Sequence, residues 1–147
     1  MSHHSQIALI YNQTIWFGAN DCNHELAHGQ YVEINQFKAN LKSIINHPLV
    51  RAQSPNIILL TQPPLEETVL WQTMLIGDWG GVCRKATHAK QYSEATKEVG
   101  KELNIPVVDV WSAFMAKTGW KEGERLPGQV EDGKNDVLEG LLYDGEL

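Results

Sequence analysis

The sequence has few cysteines and no long apolar run. Its two cysteines, Cys22 and Cys83, are too few for a disulfide framework and form no Cys-x-x-Cys motif, so free thiols are expected. No apolar stretch reaches the roughly 18 residues of a membrane helix, and no basic region precedes the apolar Ile7–Tyr11 as in a signal peptide. These absences predict a cytoplasmic protein that does not contact membranes.

Basic residues are also in deficit. Twelve Lys and Arg stand against 18 Asp and Glu, a formal net charge of −6, and no basic cluster interrupts the acidic surplus. This balance argues against a nucleic-acid partner and favours a small neutral or cationic ligand. With 147 residues, 42% of them hydrophobic, the chain has the length and composition of one globular domain spanning 1–147.

Three apolar runs are typical of buried strands: Thr14–Phe17, Asn56–Thr61 and Pro106–Trp111. The earlier run Gln6–Tyr11 either forms a loose hairpin with the first strand or extends it. Helices are predicted over Glu33–His47, around Val69–Ile76, over Arg84–Leu103, from an N-cap at Ser112 to Lys117, and over Val137–Tyr143. Strands alternating with helices predict an α/β fold with a doubly wound parallel sheet.

The first strand ends in the quartet Gly18-Ala19-Asn20-Asp21, which places polar side chains where open α/β sheets carry their chemistry. This Gly-x-Asn-Asp quartet resembles the third conserved block of the SGNH (GDSL-type) hydrolases. The chain is similar to the isoamyl-acetate-hydrolysing esterase branch in several segments: Phe17–Asp21, Phe37–Leu41, Ile57–Pro64, Val107–Trp111, Gly119–Gly123 and Leu141–Gly145. The resemblance implies a flavodoxin-like, three-layer α/β/α fold with a small, mainly parallel sheet.

The resemblance also implies site residues. In this family a Gly-Asp-Ser block carries the nucleophile, the asparagine of the third block binds the oxyanion, and a final Asp-x-x-His supplies the aspartate and the base. Asn20 matches the asparagine and Asp144 the aspartate, but Leu147 stands in the position of the histidine. Only 13 residues precede Thr14, and they contain no Gly-Asp-Ser. A truncated member of the family, with an incomplete catalytic triad, is therefore expected.

Other roles remain open for the same residues. Asn20 either donates to a substrate or only turns the chain out of the strand. Gly18 and Asp21 are assigned to substrate binding, although Asp21 alternatively caps backbone N–H groups of the loop. Asp144 is a candidate acid or base.

Two histidines and two tryptophans complete the candidate site. His24 and His28 are four residues apart, a spacing that suits proton transfer or a metal if the loop is helical. No third ligand stands at a recognisable spacing, so neither a metal nor another cofactor is expected. Trp71 and Trp79 either line a pocket for a small apolar ligand or cover core left open by missing strands.

Three functions follow from these observations. The leading hypothesis is acid–base chemistry without hydrolysis on a small organic molecule, by an isomerase, cyclase or lyase. The alternatives are a short-chain esterase completed by another chain or an unusual residue, and a binding or scaffold module without catalysis. A homodimer is expected, because loss of the first strands would turn a central strand into an apolar edge.

Overall fold

A computed structural model of the chain describes residues 12–23, 30–76 and 84–142. The elements follow one another as β1 (Asn12–Ile15), α1 (Ile34–Ile45), α2 (Pro48–Gln53), β2 (Asn56–Leu60), α3 (Glu67–Ile76), α4 (Ala86–Leu103), β3 (Val107–Val108), α5 (Val110–Lys117), a 3-10 helix (Val130–Asp132) and α6 (Asp136–Leu142). This alternation confirms the predicted α/β class.

The three strands form a parallel sheet in the order β1-β2-β3. Ile15 pairs with Leu59, and Leu59 pairs in turn with Val107. Each connection between parallel strands must return along the sheet, and helices do so in both cases: α1 and α2 after β1, and α3 and α4 after β2. The small parallel sheet is thus confirmed, while helices on both of its faces remain a prediction.

The core lies between the sheet and the helices α1 and α4. In α1, Phe37, Leu41 and Ile45 recur every four residues and are buried, so they form one apolar face. That face packs against Ile15 and Leu59 of the sheet and against α4, where the rings of Phe37 and Tyr92 lie 5.1 Å apart. Burial of this shared face holds both helices on the sheet.

The predicted first strand is wrong at its carboxyl end. β1 ends at Ile15, and the side chains of Trp16 and Phe17 are 55% and 53% exposed rather than buried. The indole N–H of Trp16 donates to the Thr61 carbonyl at 3.1 Å, so this ring lies against the chain leaving β2. An apolar run indicates a strand, but the partners around it decide whether its side chains are buried.

The predicted third strand and its cap also need correction. Only Val107 and Val108 pair with β2, and α5 begins at Val110 with Asp109 as its N-cap in place of Ser112. The Asp109 carboxylate accepts from the Ser112 N–H at 3.0 Å, which satisfies a free donor of the first turn. The β-branched residues favour a strand locally, and this cap ends it early.

β1 is an edge strand among the described residues. Residues 6–11, predicted to continue or pair with it, lie outside the described part of the chain. Pairing of two copies of the chain along this edge therefore remains a proposal.

Candidate functional site

The Gly18–Asp21 turn directly follows β1. The Gly18 N–H donates to the Asp21 carboxylate at 3.1 Å, and the Cys22 N–H donates to the Gly18 carbonyl at 3.0 Å. The Asp21 carboxylate therefore holds the turn closed and already occupies the Gly18 N–H. The roles in substrate binding assigned to Gly18 and Asp21 remain predictions.

Gly18 brings the ends of two strands together. Its φ of +115° is a conformation that side chains rarely adopt, and a Cβ there would lie 2.3 Å from the Gln62 Oε1 atom. Gln62 follows β2 and is buried, with its amide N–H donating to the Ala89 carbonyl of α4 at 2.8 Å. Glycine thus lets the chain after β1 approach the chain after β2 closely.

Asn20 projects from this turn as an exposed side chain. Its Oδ1 accepts from the Arg84 Nη2 at 2.5 Å, and the Arg84 Nε donates to the Asn23 Oδ1 at 2.9 Å. The backbones of Asn23 and Arg84 also form an antiparallel bridge. No sequence pattern marks Arg84 as a site residue, because a polar contact between residues 64 positions apart has no periodicity.

Cys22 lies behind the same turn and is fully buried. Burial raises the pKa of its thiol to about 11, although the nearby Arg84 guanidinium acts in the opposite direction. The neutral thiol is a poor nucleophile at physiological pH. Cys22 is therefore part of the packing beneath the turn.

A second polar network lies after β3, around Asp109. Its carboxylate accepts from the Ser112 hydroxyl at 2.7 Å, the Lys97 ammonium at 3.1 Å and the Thr61 hydroxyl at 3.3 Å. Burial alone would raise the pKa of Asp109, but the bonds from Ser112 and Lys97 outweigh it and lower this pKa. Burial likewise disfavours the charged form of Lys97, yet Glu94 and Asp109 raise its pKa. Lys97 is thus a cation and no base for Ser112, so the network caps α5.

Two buried glutamates, Glu66 and Glu67, anchor the loops around the sheet edge. Glu66 accepts from the Val69 N–H at 2.7 Å, at the start of α3. Glu67 accepts from the Ala86 N–H at 2.7 Å and the Val130 N–H at 3.2 Å. Neither glutamate was predicted to be buried, because an isolated glutamate in a sequence indicates surface rather than core. Through Ala86, Glu67 holds the start of α4, two residues after Arg84.

The remaining predicted site residues belong to other parts of the chain. His24, His28, Trp79 and Asp144 lie outside the described residues, as does the side chain of Trp71, a residue of α3. Their roles remain predictions. Residues 12–23, 30–76 and 84–142 contain no group of three or more His, Cys, Asp and Glu side chains arranged to hold a metal ion. Nor does any helix in these ranges have the length and apolar character needed to span a membrane.

Comparisons of the sequence with known proteins give matches to one family. Residues 13–130 match the sequence model of the GDSL-like Lipase/Acylhydrolase family. A GDSL esterase/lipase of Arabidopsis thaliana is 33% identical over 74% of this chain and 46% of its own length. An isoamyl acetate-hydrolyzing esterase 1 homolog of Bos taurus is 28% identical, over 82% of this chain and 47% of its own length.

A crystal structure of a lipase/acylhydrolase from Enterococcus faecalis superposes with a TM-score of 0.49 at 25% identity, over 70% of this chain and 43% of that chain. The chain spans about half the length of the curated relatives it matches.

Proposed function

The chain belongs to the GDSL-like lipase and acylhydrolase family, and from this premise we propose that Asn20 binds the carbonyl oxygen of a small acyl ester. The matched relatives are named as esterases or lipases, one of them for isoamyl acetate. A short, uncharged ester also suits a chain with a net charge of −6 and no basic cluster.

The exposed amide of Asn20 is the observation that carries this proposal. Its oxygen is bonded to Arg84, and its two N–H groups have no partner among the described residues, so they are the part of the amide that can meet a ligand. When a nucleophile attacks an ester carbonyl, negative charge develops on the carbonyl oxygen, and a fixed N–H donor stabilises that charge. Asn20 lies at the carboxyl end of β1, where α/β folds bind their ligands.

Hydrolysis also requires a nucleophile and a base. Of the serines in the described ranges, Ser93 is buried and donates to Ala89, and the Ser112 hydroxyl donates to the Asp109 carboxylate. The Ser54 hydroxyl donates to a carbonyl at the end of α2, and Ser43 is exposed on α1. None of these hydroxyls is hydrogen-bonded to a histidine that could act as its base within the described ranges, so on this proposal the nucleophile comes from a residue outside these ranges or from another chain.

A second candidate function is proton transfer without hydrolysis, as in an isomerase, cyclase or lyase. The lack of a serine hydrogen-bonded to a histidine in the described ranges favours it. Asn20 would then stabilise an enolate oxygen, with His24, His28 or Asp144 moving the proton. The two candidates share the same donor and differ in whether a covalent acyl intermediate forms.

The test is hydrolysis of p-nitrophenyl acetate by the purified chain and by an Asn20→Ala variant, together with labelling by a fluorophosphonate probe. We expect Asn20→Ala to lower kcat by roughly 10²- to 10³-fold, as loss of an oxyanion donor does in other hydrolases. An unchanged kcat would refute a role for Asn20. Turnover without labelling would disfavour a serine nucleophile. Absence of both would refute ester hydrolysis by this chain alone and leave proton transfer or binding without catalysis.

A further inference from the structure

The side chain of Arg84 contacts Asn20 although the two residues lie 64 positions apart in the sequence. It reaches the turn from the segment before α4 and hydrogen-bonds two asparagine amides, Asn20 through Nη2 and Asn23 through Nε. Because the donor is a charged guanidinium, the bond to Asn20 at 2.5 Å is charge-assisted and therefore stronger than a bond between neutral groups. The backbones of Asn23 and Arg84 form an antiparallel bridge, which fixes the position from which the guanidinium reaches the turn.

These bonds decide which end of the Asn20 amide faces outward. A guanidinium carries only donors, so the group of Asn20 that points at it must be the oxygen. With the amide in the opposite orientation, its NH2 group would face the donors of Arg84 and the contact would be repulsive. Arg84 thereby leaves both N–H groups of Asn20 directed away from itself.

The positive charge of Arg84 also strengthens the Asn20 amide as a donor. Its hydrogen bonds within the described residues go to two neutral amides, so they leave its positive charge in place. A cation on the oxygen of an amide draws electron density away from the nitrogen and makes its N–H groups stronger donors. An oxyanion bound by those N–H groups would also feel the cation at short range.

The segment that carries Arg84 is itself anchored. The Ala86 N–H donates to the buried Glu67 carboxylate at 2.7 Å, and the Asn23 amide N–H donates to the Gln30 side chain at 2.7 Å. The segment that carries Arg84 and the turn that carries Asn23 are therefore each held in place by a further hydrogen bond. Such support is what a donor needs if it is to meet a transition state without reorganising.

We propose that Arg84 is a positioning residue that orients and polarises the Asn20 amide for a carbonyl oxygen. The proposal rests on the proposed function of Asn20 and adds a residue that acts through it. Loss of the guanidinium would release the amide to rotate, which weakens a bond made mainly in the transition state. We therefore expect loss of the guanidinium to lower kcat more than it changes KM.

The test is a double-mutant cycle with p-nitrophenyl acetate. Arg84→Gln alone is expected to lower kcat by roughly 10- to 100-fold, a part of what loss of the donor costs. In an Asn20→Ala background the same change is expected to have almost no further effect, because its target is gone. Arg84→Lys keeps a cation that donates to the amide oxygen, so a smaller loss is expected. Arg125→Gln, on an exposed arginine paired with Asp132, is the control.

A loss that is equally large in both backgrounds would overturn the proposal, since it would show a role independent of Asn20. An unchanged kcat for Arg84→Gln would overturn it as well. Urea unfolding of each variant separates these effects from loss of the fold.

A second readout keeps the inference separable from the proposed function. The side-chain amide of Asn20 gives its own pair of ¹H–¹⁵N resonances, identified by their absence in Asn20→Ala. We expect Arg84→Gln to shift this pair, and Arg125→Gln to leave it in place. If the wild-type chain shows no ester turnover, ester hydrolysis by this chain alone is refuted, and the Asn20 resonances decide on Arg84: a shift supports the positioning contact, and unchanged resonances overturn it.

Discussion

Replacing Gly18 by alanine is the sharpest test of how the site is built. Two separate penalties are expected. The first is backbone strain, because φ at Gly18 is +115° and a residue with a Cβ is held there at a cost of about 1–3 kcal/mol. The second is steric, because the added Cβ would lie 2.3 Å from the Gln62 Oε1 atom.

Gln62 cannot relieve this contact cheaply. An exposed glutamine would swing away, but Gln62 is only 2% exposed and its amide N–H donates to the Ala89 carbonyl. Moving it would break that buried bond, which costs about 1–3 kcal/mol when a partner is left unsatisfied. Together the two penalties predict a loss of about 2–6 kcal/mol in the free energy of unfolding, measured by urea denaturation.

Gly123→Ala is a matched control. Gly123 has a φ of +93°, yet a Cβ there would meet no atom within 4 Å, so this variant carries the strain without the clash. The difference between the two variants isolates the contact with Gln62 and should be about 1–3 kcal/mol. Equal losses for Gly18→Ala and Gly123→Ala would refute the close approach of the two strand ends.

Two further predictions follow from the polar groups around the sheet edge. With a pKa of about 11, roughly one Cys22 thiol in a thousand is ionised at pH 8, so in a Cys83→Ser variant Ellman's reagent should react slowly until urea is added. Rapid labelling of the folded chain would contradict this burial. Asp109 has a pKa below its ordinary value in the folded chain, so it stabilises the fold above the unfolded value near 3.9 and loses this effect as pH falls through its folded pKa. Asp109→Asn should therefore lower the unfolding free energy at pH 7 by about 1 kcal/mol, with the gap closing below about pH 4; a gap independent of pH would contradict it.

The elements that the sequence predicted well are those with a strong local pattern. α4 shows buried residues at helical spacing from Ala86 to Val99, and β2 is a short apolar run between polar neighbours. Both patterns come from residues close together in the chain, so they survive without knowledge of the fold. The turn Gly18–Asp21 at the end of β1 was predicted for the same reason.

Two predictions failed, for different reasons. Trp16 and Phe17 have the composition of a buried strand, but β1 pairs with β2 only as far as Ile15. Asp109 ends β3 early because its carboxylate caps α5. Pairing with a distant strand decides the first case, whereas in the second a cap formed with Ser112, three residues along the chain, overrides the strand propensity of the valines.

The sequence alone determined the α/β class, the three strands and the place of Asn20 at the end of the first one, because periodicity and turn residues are local properties. Only the tertiary structure decided that Arg84 meets Asn20 across 64 positions and that Glu67 is buried beneath the start of α4. Those contacts join segments that share no sequence pattern, and the packing of α4 on the sheet brings them together. The orientation of the Asn20 amide is therefore a property of the fold.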